Sequence, residues 1–317
     1  MLNKSILALI TPTFNNGYLL NRLYLSIKSQ TYKKLCWIII DDGSTDNTEK
    51  IVKKFQGLKI LYRKQKNSGP NFSRNKAEQI MPKTCKYAIP IDSDDTLYNH
   101  KTLELMVNDI ENSKKNIGII GYSSVDGVTG KKVSFTEKPE ILIDITESLK
   151  GEKIKGEFIF IQKREVLKIA KWPEKIWGYE GIRHWEINKH SDFLYKAIPG
   201  RIYYRDRKEN LTSPEGTILR AKNMVEGINY LLKIHGENLK TFARDRYIYY
   251  NFTKSIYLLL SNRKSEFLIH NIFLLTLRKK FKMNVLCLLL FFCIIFPNFI
   301  IKKTYLLIKG INYTNNK

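Results

Sequence analysis

Apolar residues in the first third of the chain fall into short unbroken runs separated by helically spaced ones. Ser5-Ile6-Leu7-Ala8-Leu9-Ile10, Leu35-Cys36-Trp37-Ile38-Ile39-Ile40 and Tyr87-Ala88-Ile89-Pro90-Ile91 each read as a strand buried on both faces. Between the first two, Leu19, Leu20, Leu23, Tyr24 and Ile27 follow helical spacing. Ile51, Val52 and Phe55 then share one face of a second helix, and 59–62 forms a short strand. Continuous runs, rather than alternating ones, predict a mostly parallel sheet flanked by helices, an α/β fold. Further on the pattern predicts a helix over 103–110, a strand over 117–120, turn-rich hairpin material over 121–155 and a strand over 156–161. A helix opening at Glu180 and a strand over 201–204 follow.

From about Thr217 the pattern becomes helical and basic, with 247–260 amphipathic and Glu266 the last acid. An unbroken apolar run, 285–296, lies between Arg278-Lys279-Lys280-Phe281-Lys282 and Lys302-Lys303 and is followed by Pro297-Asn298. This divides the chain into an α/β domain over 1–215, a helical region over 216–275 and a basic, apolar, membrane-associating segment over 276–317. The run is near the lower length for crossing hydrocarbon and is basic on both sides, which favours lying in the anionic inner leaflet. A single C-terminal span and a buried helix are the alternatives.

The formal net charge of +24, from 54 Lys+Arg against 30 Asp+Glu, implies an anionic partner: nucleic acid, a phosphate-bearing substrate or an acidic membrane surface. Basic residues gather around an apolar run and not along an aromatic-studded groove, so a membrane is expected and a polynucleotide is not. Cys36, Cys85, Cys287 and Cys293 lack CxxC spacing and read as small apolar residues in a reducing compartment. The run after Lys4 is too short for the core of a secretory signal. The chain is therefore expected on the cytoplasmic side of the cell membrane.

The chemistry begins where the third apolar run ends, in Asp92-Ser93-Asp94-Asp95-Thr96. Carboxylates crowded at a strand end repel one another unless a cation lies between them, and Mg²⁺ or Mn²⁺ takes one or two carboxylates plus substrate phosphate oxygens. An acidic turn capping the next helix is the alternative. Asp41-Asp42-Gly43-Ser44 closes the second run. In a Rossmann-like half, an acid there can meet a ribose or base, while the same four residues also suit a tight turn. The first loop has no GxGxxG, which argues against a dinucleotide cofactor. Basic residues around Gly69-Pro70-Asn71 and Ser73-Arg74-Asn75 can meet phosphates or be a solvated helix start. Residues 172–186 combine tryptophans, Tyr179, glycines and Glu180, the composition of a pocket wall. Glu180 can also be a plain helix N-terminal acid. His184 and His190 lack ligand spacing.

Ile10-Thr11-Pro12-Thr13-Phe14-Asn15, Ile40-Asp41-Asp42-Gly43-Ser44-Thr45-Asp46 and Asp92-Ser93-Asp94-Asp95, in this order at strand ends, resemble the family 2 glycosyltransferases of the GT-A fold. The likeness is strong over about 4–110 and weaker to about 210. It implies a Rossmann-like central sheet, a nucleotide-sugar donor (commonly a UDP-sugar), a Mn²⁺ or Mg²⁺ ion and inversion at the anomeric carbon. Pro12, Thr13 and Phe14 would line the nucleoside site, Asp42 would meet base or ribose, and Asp92 and Asp94 would meet the donor. Asp94 and Asp95 would hold the metal, and Glu180 would be the general base. Gly181 stands where the family often has a second acid, and Phe14 replaces a frequent tyrosine.

Asp92-Ser93-Asp94-Asp95-Thr96 also fits the DxDxT pattern of haloacid-dehalogenase-type phosphatases with Asp92 as nucleophile. That class needs a downstream Gly-Asp metal motif, and the chain has no Gly-Asp pair. The expected function is hexosyl or N-acetylhexosaminyl transfer to a glycan or lipid-linked saccharide in surface polysaccharide synthesis.

Overall fold

The computed structural model describes residues 5–176, 178–204, 214–276, 298 and 300–305. The chain divides into two units, Met1–Asp206 and Arg207–Lys317. In the first, β1 (Leu7–Thr13), α1 (Gly17–Lys28), β2 (Leu35–Asp41), α2 (Thr48–Val52), β3 (Ile60–Lys64), α3 (Pro70–Ile80) and β4 (Tyr87–Pro90) follow the predicted alternation. β5 (Thr96–Leu97), α4 (Thr102–Glu111), β6 (Ile117–Asp126), β7 (Ser134–Thr136), β8 (Glu140–Ile143) and α5 (Ile145–Lys150) come next. The unit closes with β9 (Ile154–Gly156), β10 (Phe158–Lys163), α6 (Gly181–Asn188) and β11 (Asp192–Tyr203).

Among the described residues the main sheet has nine strands, eight of them in the order β3-β2-β1-β4-β10-β6-β11-β5, with β8 also pairing β11. The first four are parallel. β10 then enters antiparallel to both β4 and β6, and β11 runs parallel to β6. The sheet is thus parallel on one side and mixed on the other.

Every residue of β1 and of β2 is buried, which is why they open with the unbroken apolar runs 7–10 and 35–40. α1 covers one face with Leu19, Leu20, Leu23, Tyr24 and Ile27, the residues its periodicity singles out. Burying each large apolar side chain contributes about 1.5–3 kcal/mol. α2 ends at Val52, short of Phe55, yet Phe55 still packs inward, stacking on Tyr24 at 4.1 Å and Trp37 at 5.8 Å. On the mixed side the strands run longer than the pattern predicts. β6 continues to Asp126 because Ser123 and Ser124 are buried too, their hydroxyls bonded to Ala197 and Arg201.

The second unit contains α7 (Pro214–Leu219), α8 (Ala221–Phe242), α9 (Arg244–Leu260) and α10 (Lys264–Thr276), packed around Val225, Leu258, Leu259 and Phe267. No helix among the described residues is long and apolar enough to cross a membrane. The run 285–296 lies outside them.

Candidate active site

The carboxyl ends of β1, β2 and β4 carry the loops that hold the predicted acids. Pro12 and Thr13 are buried at the end of β1, and Phe14 is 46% exposed at the rim. Asn15, in the left-handed conformation at φ 51°, accepts from the Thr45 amide at 2.8 Å, and its own amide donates to Ser44 Oγ at 2.9 Å. The first and second loops are thereby joined. Asp41 accepts from the Ser44 amide at 2.7 Å and from the Tyr62 hydroxyl at 2.5 Å. Gly43 has φ 88°, and a Cβ there would stand 3.0 Å from the Asn67 amide, so the turn needs glycine.

Asp42 is buried and organises the third loop. Its Oδ1 accepts from the Ser68 amide at 2.9 Å and Gln65 Nε2 at 2.8 Å, and its Oδ2 from the Gly69 amide at 2.7 Å. Thr13 Oγ1, beside these loops in sequence and buried, has no hydrogen-bond partner. An orphaned buried hydroxyl costs free energy, which a bound ligand would recover.

The acid loop separates its carboxylates. Asp92 pairs with Arg74 at 2.8 Å. Ser93 accepts from Asn16 at 2.9 Å, and the Asp94 carbonyl accepts from Arg22, whose guanidinium stacks on Tyr204 at 3.4 Å. Asp92 and Asp94 stay partly exposed. Asp95, expected to be a metal ligand with Asp94, lies in the core at 1% exposure instead. Its Oδ2 takes Arg201 at 3.0 Å and its Oδ1 the Tyr204 amide at 3.2 Å. Burial pushes the Asp95 carboxyl up to about 8 against the pull of Arg201, with Asp92 and Asp94 adding to the rise. Its hydrogen bonds tie the loop to the end of β11.

Glu180 precedes α6, accepts from the Gly178 amide at 3.3 Å and is half-buried. Arg74 stands 3.9 Å from it while pairing with Asp92, so one guanidinium joins the strand-end acids to the expected base. Trp172 lies 5.1 Å from Arg74, and Trp177 is outside the described residues. His184 sits edge-on to Phe160, Trp172 and Phe193 with its Nε2 enclosed and unpartnered. Burial pushes its pKa down to about 3, with Arg183 and Arg74 adding to the fall.

Asn71, Asn75, Glu78 and Arg183 hold this region together; the sequence marked Asn71 and Asn75 only as part of a basic helix start and gave Glu78 and Arg183 no role. For Asn71, Asn75 and Glu78 the signal was present as a polar stripe on one face of α3, but such a stripe ordinarily faces water.

Among the described residues no group of three or more His, Cys, Asp and Glu side chains is disposed to hold a metal. A divalent ion of the magnesium type needs only one or two carboxylates when phosphate oxygens complete its shell. The partly exposed Asp94, with Asp92 beside it, fits that requirement, and Asp95 does not.

The glycosyl transferase family 2 model matches residues 8–168. A Campylobacter jejuni protein, GalNAc(5)-diNAcBac-PP-undecaprenol beta-1,3-glucosyltransferase, is 27% identical over 218 residues, 65% of this chain and 67% of that protein. Staphylococcus aureus poly(ribitol-phosphate) beta-N-acetylglucosaminyltransferase TarP is 37% identical over 124 residues, which span 38% of this chain and 37% of TarP. The fold is shared with S. aureus TarS 1-349 in complex with UDP-GlcNAc, at TM-score 0.56 and 16% identity over 83% of this chain and 88% of that one. It is shared also with the mannosyltransferase PcManGT from Pyrobaculum calidifontis in complex with GDP-Man and Mn²⁺, at TM-score 0.51 and 17% identity over 96% and 87%. The matched segment contains all three strand-end motifs, and the chain belongs to glycosyl transferase family 2.

Proposed function

We propose that the protein is an inverting glycosyltransferase that moves a hexosyl or N-acetylhexosaminyl group from a UDP-sugar to a hydroxyl of a lipid-linked glycan in surface polysaccharide synthesis. The observation that carries the reading is Arg74, which brings Asp92 and Glu180 to one rim of the sheet. Pro12, Thr13, Phe14 and Asp42 line the nucleoside side, with the orphaned Thr13 hydroxyl waiting for a partner. Asp92 and Asp94 face the donor diphosphate. Glu180 takes the proton from the acceptor hydroxyl as it attacks, a role one carboxylate can fill. Arg74 offsets the repulsion between the Asp92 and Glu180 carboxyl groups and lets both approach one guanidinium.

A Mn²⁺ or Mg²⁺ ion at Asp94, with Asp92 beside it, would neutralise the charge of the departing diphosphate. Asp95 braces the acid loop through Arg201 and so keeps Asp94 at the rim. The UDP-GlcNAc in the TarS structure and the GDP-Man and Mn²⁺ in the PcManGT structure support this donor and metal class. The undecaprenol-linked acceptor in the Campylobacter relative's name supports a lipid-linked acceptor. The basic, apolar 276–317 segment would hold the enzyme on the cytoplasmic leaflet beside such an acceptor.

Purified protein heated with a panel of nucleotide sugars and Mn²⁺ tests the reading. UDP-sugars raise the melting temperature in the wild type, and Asp94→Asn loses the metal-dependent part of that rise. An equal rise in both proteins removes Asp94 from the metal, and no rise with any nucleotide sugar removes the donor class. Membrane retention in high salt, without bound RNA, is the expected fractionation result.

A further inference from the structure

We infer that the buried polar face of α3, through Asn71, Asn75 and Glu78, positions Glu180 by clamping the chain on both sides of it. The inference rests on Glu180 being the base. On the upstream side, Asn71 Nδ2 donates to the carbonyls of Pro173 at 3.1 Å and Ile176 at 2.8 Å. Asn75 Nδ2 donates to the Trp172 carbonyl at 2.9 Å and to Glu174 at 2.9 Å, and its Oδ1 accepts from the Trp172 amide at 2.9 Å. On the downstream side, Arg183 lies one helical turn after Glu180. It pairs with Glu78 at 3.0 Å, donates to Gln162 at 2.9 Å and to the Ala170 carbonyl at 3.0 Å, and stacks on Trp172 at 4.3 Å. Its backbone amide also donates to the Glu180 carbonyl at 3.1 Å, closing the first turn of α6.

Asn71, Asn75 and Arg183 are 0%, 4% and 1% exposed, so the clamp is interior. Buried hydrogen bonds are directional and costly to leave unmade, so they fix the register of a loop that apolar contacts alone would let slide. The same face orients Arg74, because Asn71 Oδ1 accepts from it at 2.8 Å. One helix therefore sets the spacing between Arg74, with its partner Asp92, and Glu180. A displacement of about 1 Å at a reacting group can cost about a hundredfold in rate.

The test compares Asn75→Ala, Arg183→Met and Arg183→Lys with Glu180→Gln in the full chain, measuring transfer kcat and donor KM. Asn75→Ala and Arg183→Met are expected to lower kcat tenfold or more with donor KM within about twofold of wild type, and Arg183→Lys to recover part of the loss. Should Arg183→Met fail to fold, Asn75→Ala, which removes a single amide, carries the same measurement. Wild-type kcat in folded Asn75→Ala and Arg183→Met, with Glu180→Gln inactive, overturns the positioning role and leaves the base intact. A rise in donor KM matching the fall in kcat also overturns it, since that is general damage. Full transfer by Glu180→Gln overturns the base reading itself, and this inference with it.

Discussion

The strand-end acids and the segment around Glu180 meet at one rim, but the chain holds them there by different means. Asp42 and the Asp92–Asp95 loop sit at the ends of β2 and β4, whose apolar residues pack into the cores that α1 and α3 cover. Glu180 belongs to a segment with little strand or helix before it. That segment is fixed by amides and by the Glu78–Arg183 pair instead, with burial raising the Glu78 carboxyl against the pull of Arg183. An apolar sheet edge tolerates exchange of one hydrophobe for another of like volume, whereas a buried polar clamp fails when either partner is removed. The strand-end side thus rests on apolar strands with polar ties in its loops, at Asp42 and at the Asp95–Arg201 pair, whereas the Glu180 segment is held by polar contacts throughout and is the more sensitive half.

The largest effect expected is on the sensitive half. Glu180→Gln lowers transfer by about 10²–10⁴-fold, the range for removing a general base, with nucleotide binding retained by calorimetry. Activity near wild type would make Glu180 a structural residue. Next comes the one buried ion pair that braces the acid loop. Arg201→Met leaves Asp95 without its guanidinium and should cost about 3–5 kcal/mol in chemical denaturation. Adding Asp95→Asn should recover part of that loss, and if it recovers none the pair is not what couples them.

His184 gives a smaller, pH-dependent effect. Its pKa lies near 3 in the fold and near 6.5 in the unfolded chain, so the unfolded state takes up the proton first. The stability contributed by the neutral ring is complete above about pH 6.5 and falls by up to about 1.4 kcal/mol per pH unit on the way down towards the folded value. His184→Phe should flatten that slope in a series of urea melts, and an unchanged slope would assign the acid sensitivity elsewhere. The smallest effect is at Gly181, where a Cβ meets nothing within 4 Å. Gly181→Asp should fold and gain about 0.5–1 kcal/mol from leaving glycine out of the helix and placing an acid in its first turn. A melting temperature below wild type would show that the open space is needed.

The parallel half of the sheet was legible because its information is local. An unbroken apolar run has few places to go but a doubly covered strand, and the acids that follow it must stand at the strand's end. The mixed half was legible only in part. Ser123, Ser124 and Gln162 are buried polar residues inside strands, and they interrupt the apolar signal while pairing with groups far away in sequence. The stripe Asn71, Arg74, Asn75 and Glu78 has the composition of a solvated helix face and is instead covered by Trp172, Pro173, Ile176 and Arg183.

The strand-end positions of Asp42, Asp92 and Asp94 and the alternation of β1 to β4 were determined by the sequence by itself, since periodicity and burial act between near neighbours. Tertiary structure alone decided that Asp95 turns inward to Arg201, that Arg74 faces both Asp92 and Glu180, and that α3 buries its polar face. Each of those depends on pairing charged or amide groups brought together from distant parts of the chain. A charge shows which partner it needs, but only the folded chain shows which one it finds.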